Sequence, residues 1–223
     1  MDYIEINRNA YNKLAESYKW RKEYKSEFEE HVDVLGNSVL NCINRKFKQS
    51  INVLEIGPGA GQMLAFFEQN NCHTIGVELS EKMALVAKTS SPNSVIINAD
   101  IMTVDFLPCQ FQIIYMGALI HLFPKYDAEL LLDKVLCWLD KDGVIFINTT
   151  CHEYSEEGFF EKSDYDSLNI RFRRYWTEES FMLFVLSHGF VLTKKLYTDE
   201  CDRGKKWVAL VCKKGIINER KDI

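Results

Sequence analysis

The stretch Val53-Leu54-Glu55-Ile56-Gly57-Pro58-Gly59-Ala60-Gly61-Gln62 (VLEIGPGAGQ) decides the fold. An apolar run carrying one acid stops at three glycines set at alternate positions. Continuous apolar runs suit strands buried on both faces of a parallel sheet. Glycine tolerates backbone angles that other residues avoid, and it lacks the Cβ that would hold a ligand away. The segment that follows, AGQMLAFFEQN, reads as a helix, and the first N–H groups of a helix have no partner inside it. Strand, bare turn and helix start together form a surface for a flat, polar, nucleotide-like ligand at the carboxyl end of a sheet. An ordinary tight strand–helix turn that happens to be rich in glycine is the plain alternative. Spacing narrows the choice of ligand. A dinucleotide fingerprint needs its third glycine where Gln62 stands, and the phosphate-cradling loop that ends in Lys-Ser/Thr is absent.

Working outward, further short apolar runs appear at residues 73–79, 94–99, 111–116 and 143–149. Helical stretches lie between them. SEKMALVAKT opens on Ser80, a good N-cap. KYDAELLLDKVLCWLD runs up to the stop signal Lys141-Asp142-Gly143. Strand–helix alternation of this kind predicts a parallel α/β sheet with right-handed crossovers. Upstream, Tyr11, Leu14, Ala15 and Tyr18 recur at helical spacing, and Phe28, Val32, Leu35, Val39 and Ile43 continue a stripe that Gly36 weakens without breaking. Residues 151–170 are polar, acidic and aromatic, with no clear period. A helix then starts at the N-cap Thr177 and stops at Gly189, and two β-like segments close the chain around the polar link DECDRG.

Composition sets bounds on function. The chain has 223 residues, 47% of them hydrophobic, and a net charge of −5. That fits one core-forming domain and argues against a general nucleic-acid binder, which carries a basic footprint. No apolar run has the length of a membrane span, and the N-terminal MDYIEINRNA lacks a signal-peptide pattern. Seven cysteines lie scattered without a Cys-x-x-Cys pair, so neither a metal site nor a disulfide framework is expected, and a cytoplasmic setting is.

Two further acids extend the ligand reading. Glu78 ends the second strand about 20 residues past the glycine turn, where a carboxylate accepts hydrogen bonds from ribose hydroxyls. Asp100 ends the third strand, at a tip where it either meets an exocyclic amine or caps a local turn. On these residues the chain resembles the class I S-adenosylmethionine-dependent methyltransferases. VLEIGPGAG matches the glycine-rich first motif, GVELS the ribose motif and NAD the adenine motif. FQIIYMGALIHLF and LDKDGVIFINT are similar to the fourth- and fifth-strand regions of the small-molecule subgroup, and the final segments to its sixth and seventh strands. The resemblance covers residues 50–213. Gln112 departs from it, since many relatives carry Asp there. No Asn/Asp-Pro-Pro-Tyr/Phe signature follows the fourth strand, which points away from nucleobase or protein-glutamine acceptors.

The resemblance implies a Rossmann-like, seven-stranded, mostly parallel α/β sheet whose last strand is antiparallel. A helical cap over 1–50, a substrate-lid insertion over 151–176 of the domain at 51–214, and a tail at 215–223 complete the expected layout. It implies S-adenosyl-L-methionine as cofactor, held by Tyr18, Glu55, Gly57, Gly59, Gly61, Glu78, Leu79, Met83, Asp100, Ile101 and Met116. The acceptor would be a small molecule methylated on oxygen or nitrogen by a monomer or homodimer, with neither nucleic acid nor membrane as partner. His121, just past the fourth strand, is the candidate general base, with packing at the rim as its plain alternative; His152 is the second candidate. Tyr11, Tyr154, Phe159 and Arg173 are candidate acceptor contacts, and Phe160 and Tyr165 lie in the same aromatic segment. Arg171 and Arg173 share one face of an extended segment, where they either grip a carboxylate or phosphate or form a solvated face paired with nearby acids. Aminopropyl transfer, macromolecule methylation and a non-catalytic docking role are the rival readings.

Overall fold

The computed structural model describes residues 2–24, 26–43, 51–164, 167–200 and 204–215. Its strands, in chain order, are β1 (Asn52–Ile56), β2 (His73–Glu78), β3 (Val95–Asn98), β4 (Phe111–Met116), β5 (Leu139–Thr150), β6 (Glu156–Asp164), β7 (Ser167–Tyr175), β8 (Phe190–Glu200) and β9 (Lys205–Lys214). The helices are α1 (Tyr3–Tyr24), α2 (Ser26–Leu40), α3 (Gln62–Gln69), α4 (Glu81–Ser90), α5 (Lys125–Trp138) and α6 (Glu178–Ser187). A seven-stranded sheet has the order β3-β2-β1-β4-β5-β9-β8. The pairs β1–β2, β2–β3, β1–β4 and β4–β5 are parallel, whereas β9 runs antiparallel to both β5 and β8. This is the Rossmann-like architecture expected from the sequence.

The unbroken apolar runs follow from two-sided burial. Leu54, Ile56, Ile114, Met116, Ile145 and Ile147 pack on one face with Leu131 and Val135 of α5 and Phe181 and Val185 of α6. Their neighbours Val53, Ile113, Tyr115, Val144 and Phe146 pack on the other with Leu35 and Val39 of α2 and Phe66 and Phe67 of α3. Alternate side chains leave a strand on opposite faces, so both sets must be apolar. Gly36 has a specific task within α2: the Phe66 ring occupies the place where its Cβ would be. Gln112 also earns a structural role, since its Oε1 accepts from the Asn52 N–H at 2.9 Å and ties β4 to the start of β1.

Chain order leaves β1 for β2 and β3 on one side, then returns to β4 on the other. The glycine turn after β1 therefore sits at the topological switch point, where a crevice opens beyond the strand ends. Helix α1 packs against β7 and α4. Asn7 fastens it there: its Nδ2 donates to the Leu122 carbonyl at 3.2 Å, and its Oδ1 accepts from the Phe172 N–H at 2.9 Å. Asn12 fastens the next turns, with its Oδ1 accepting from Ser80 Oγ at 2.7 Å and the Lys82 N–H at 3.2 Å. None of the described helices is long and apolar enough to cross a membrane.

Two expectations need correction. The segment after β5 is no irregular loop: β6 and β7 pair as an antiparallel two-stranded sheet. Its period is hidden because Arg171 and Arg173 are buried while Ile170 is exposed, which inverts the usual pattern of apolar inside and charged outside. Helix α5 ends at Trp138 rather than running to Asp140, and β5 begins at Leu139 with a register shift against β4. At this bulge a Cβ on Gly143 would come within 3.0 Å of the Gln112 and Asp140 carbonyl oxygens, so glycine marks close packing there rather than a helix stop. Tyr165 and the tail beyond Gly215 lie outside the described residues.

Candidate active site

The turn after β1 adopts the conformation its glycines allow. Gly57, Gly59 and Gly61 have φ of +69°, +55° and +79°, the left-handed region that side chains disfavour. Beyond this, the three do different things. A Cβ on Gly59 would meet no protein atom within 4 Å, because the position opens on a cavity of about 750 Å³. A Cβ on Gly57 would fall 2.8 Å from Leu119 Cδ1, and one on Gly61 2.8 Å from the Cα and carbonyl oxygen of Ala87. Gly61 thus permits α3 and α4 to approach, and it does not line the cavity.

Two carboxyl groups lie under the turn. Glu78 accepts from the Gly59 N–H through Oε2 at 3.2 Å and from the Ser80 N–H through Oε1 at 2.9 Å. Burial pushes its pKa up to about 7, against the pull of those N–H donors. Glu55 is buried as well; desolvation and then the nearby Glu78 charge hold its pKa well above the usual value, and its Oε2 has no hydrogen-bond partner. A buried acceptor without a partner calls for an explanation, and the cavity that Glu55 lines supplies one. Leu79, Met83, Asp100 and Ile101 line the same end. Asp100 also caps a short 3₁₀ turn, accepting from the Met102 N–H at 3.0 Å, while it lines the cavity.

The other end of the cavity gathers around His121. Its imidazole is buried, with Nδ1 3.1 Å from Thr149 Oγ1 and its ring 6.1 Å from that of Trp207. Burial, then Arg173 and Arg171, lower its pKa well below the usual value. Tyr11 and Tyr18 meet edge to face at 6.4 Å, and the Arg171 guanidinium lies 5.7 Å from the Tyr11 ring centre. Asn148 accepts from the Ala118 N–H and so pins the turn after β4, where Ala118 has φ +53°.

Residues 53–143 match the family described as "Methyltransferase domain". That stretch of the chain carries a methyltransferase domain. Among curated relatives, it is 31% identical over 136 residues to an uncharacterised methyltransferase of Alkaliphilus oremlandii, covering 60% of each chain. It is 26% identical over 134 residues to the Papaver bracteatum protein named "Probable (S)-tetrahydroprotoberberine N-methyltransferase 2", covering 57% of this chain and 36% of that one. The match thus spans less than two thirds of either relative. The structure of magnesium protoporphyrin IX methyltransferase from Synechocystis, solved with bound S-adenosylmethionine, superposes with a TM-score of 0.70 at 13% identity, over 95% of this chain and 97% of that one. Burkholderia thailandensis 1,6-didemethyltoxoflavin-N1-methyltransferase gives 0.64 at 14% identity, over 89% and 88%. At such identities these two speak to the fold alone.

Within this methyltransferase fold, one cavity brings together Tyr11, Tyr18, Glu55, Gly57, Gly59, Glu78, Leu79, Met83, Asp100, Ile101, His121 and Arg173. Five expected site residues lie elsewhere. Besides Gly61, Met116 is fully buried in the sheet core, because the last strand position still faces α5. His152 stacks on Tyr175 with ring centres 4.1 Å apart and contacts Thr150 Oγ1 at 2.9 Å. Tyr154 is 61% exposed, and Phe159 packs edge-on against Phe172 at the hairpin surface. The cavity also takes in Asn7, Asn148, Lys205 and Trp207, which sequence reasoning passed over, and Arg171, which it left undecided.

Proposed function

We propose that the protein transfers a methyl group from S-adenosylmethionine to an oxygen or nitrogen of a small-molecule acceptor. The observation that carries this is the open place at Gly59, directly over a buried Glu78 that is bonded to the Gly59 N–H. Glu78 would hold the ribose, and Asp100 with Ile101, Leu79 and Met83 the adenine. Glu55 with its unpartnered Oε2, Gly57, Gly59 and Tyr18 would hold the amino-acid end. When bound, the cofactor supplies a methyl group already activated on sulfur; the acceptor's lone pair forms the new bond while the electron pair of the breaking carbon–sulfur bond stays with sulfur.

The protein's own work is then alignment and exclusion of water. Orientation of this kind is worth roughly 7–11 kcal/mol of barrier when well realised. Asn7 and Asn12 hold α1 across the crevice, which favours a closed, dry site. His121, kept neutral by its surroundings and oriented by Thr149, is the group to take the proton of an O–H or N–H acceptor. A polycation, as aminopropyl transfer would require, would meet Arg171, Arg173 and Lys205 at the acceptor end. The test is to incubate the purified full chain with S-adenosylmethionine and panels of hydroxylated, carboxylated and amine metabolites, following S-adenosylhomocysteine release. Acceptor-dependent release is expected; a protein that binds S-adenosylhomocysteine yet methylates nothing would support a docking role instead.

A further inference from the structure

The cavity is electrically divided. Its acids Glu55, Glu78 and Asp100 sit around the glycine turn and the neighbouring strand ends, and the end around His121 carries Arg171, Arg173 and Lys205. Among the described residues lining that second end, Asp199 is the acid set against these three cations. Arg171 and Arg173 are 2% and 7% exposed. Both guanidinium groups nevertheless stand at the cavity wall, beside His121. Strand alternation explains how they arrive together: two residues apart on β7, they project from the same face of the hairpin. Lys205 and Trp207 likewise share a face of β9. The rings of Tyr11 and Trp207 flank this charge, one near Arg171 and the other near His121.

We propose that the methyl acceptor is an aromatic carboxylate, its anionic group held by Arg171 and Arg173 and its ring lying between Tyr11 and Trp207. The inference rests on the methyltransferase reading of the same cavity and adds the acceptor's chemical class to it. A guanidinium offers two parallel N–H donors that match the two oxygens of a carboxylate, which is why arginine suits such recognition better than lysine. A protonated amine would instead be brought beside three positive charges. The anion has a second effect. Arg173 and Arg171 oppose protonation of His121, and a carboxylate seated between them offsets that opposition. The imidazole then becomes a better proton acceptor only when the right substrate is in place.

The experiment uses the full chain saturated with S-adenosylhomocysteine and three probes of one shape: 2-naphthoate, 2-naphthamide and 2-naphthylmethylamine. Calorimetry should give naphthoate at least about tenfold tighter binding than naphthamide, as expected for a charge-assisted contact, and no binding of the amine. Raising the salt concentration should weaken naphthoate and leave naphthamide unchanged. Arg171→Gln and Arg173→Gln should each erase most of the preference while S-adenosylhomocysteine still binds, and Arg173→Lys should keep part of it. The wild-type comparison needs no variant to fold. If naphthoate does not bind, or binds no better than naphthamide, while S-adenosylhomocysteine is bound, the acceptor proposal is wrong and the methyltransferase reading survives. If S-adenosylhomocysteine itself fails to bind, the underlying reading falls and this proposal with it.

Discussion

Replacing Glu78 with glutamine tests the electrostatics beneath the glycine turn. Burial raises this carboxyl to about 7 from its ordinary 4.5. Between those values the folded chain holds a proton that the unfolded chain has released. The stabilising share of Glu78 is therefore fully present below about 4.5 and is lost as pH rises through about 7. Each unit of displacement is worth about 1.36 kcal/mol, so from pH 5.5 to 8.5 the wild type should lose about 2 kcal/mol through this one group. Glutamine cannot ionise and has no such slope. It can accept from only one of the Gly59 and Ser80 N–H groups, which costs about 1–3 kcal/mol for the donor left over. The variant should thus be less stable than wild type at pH 5.5, with the deficit shrinking by about 2 kcal/mol at pH 8.5. His121, whose lowered pKa gives a slope of opposite sign, contributes equally to both proteins and cancels. Burial, and then the Glu78 charge, also hold the Glu55 carboxyl well above its usual range. Urea unfolding followed by tryptophan fluorescence at the two pH values measures the change. Parallel pH dependences in the two proteins would show that Glu78 is not held protonated by burial.

Other substitutions separate packing from ligand contact. Gly61→Ala should cost more than about 2 kcal/mol in urea unfolding, through left-handed strain and a clash with the Ala87 backbone; unchanged stability would remove Gly61 from the α3–α4 contact. Asn7→Ala strands the Phe172 N–H and the Leu122 carbonyl, so stability should fall by about 2–4 kcal/mol. Limited proteolysis should then cut within α1 first, whereas cleavage elsewhere would show that Asn7 does not fasten this helix. His121→Ala should lower kcat by about 10²–10⁴-fold, with S-adenosylhomocysteine affinity within about twofold of wild type; the reverse pattern would make His121 a binding residue.

Legibility in the sequence followed physical simplicity. The central strands could be read because two-sided burial demands unbroken apolar runs, and the turn because nothing but glycine sits easily at three positive φ values in five residues. Glu78 and Asp100 came from counting strand ends. The spacing could not say which glycine faces a ligand and which faces Ala87, since both demands remove the same atom. Met116 was misplaced by one step of strand alternation. The hairpin β6–β7 stayed hidden because its buried face carries arginines, the reverse of what hydrophobic patterning detects. Asn7 and Trp207 reach the cavity from the two ends of the chain, brought there by α1 crossing the crevice and by β9 inserting beside β5. No local pattern announces contacts over such separations.

The central claim is that an adenosyl ligand lies against the bare turn at Gly59. Calorimetric titration of S-adenosylhomocysteine into wild type and Gly59→Val tests it most directly. A valine there meets open cavity rather than protein, so the variant should fold, with a penalty of about 1–3 kcal/mol for its left-handed backbone. The account predicts saturable single-site binding to wild type and none to the folded variant. Equal affinity for both proteins, or no heat with either at millimolar ligand, would contradict it.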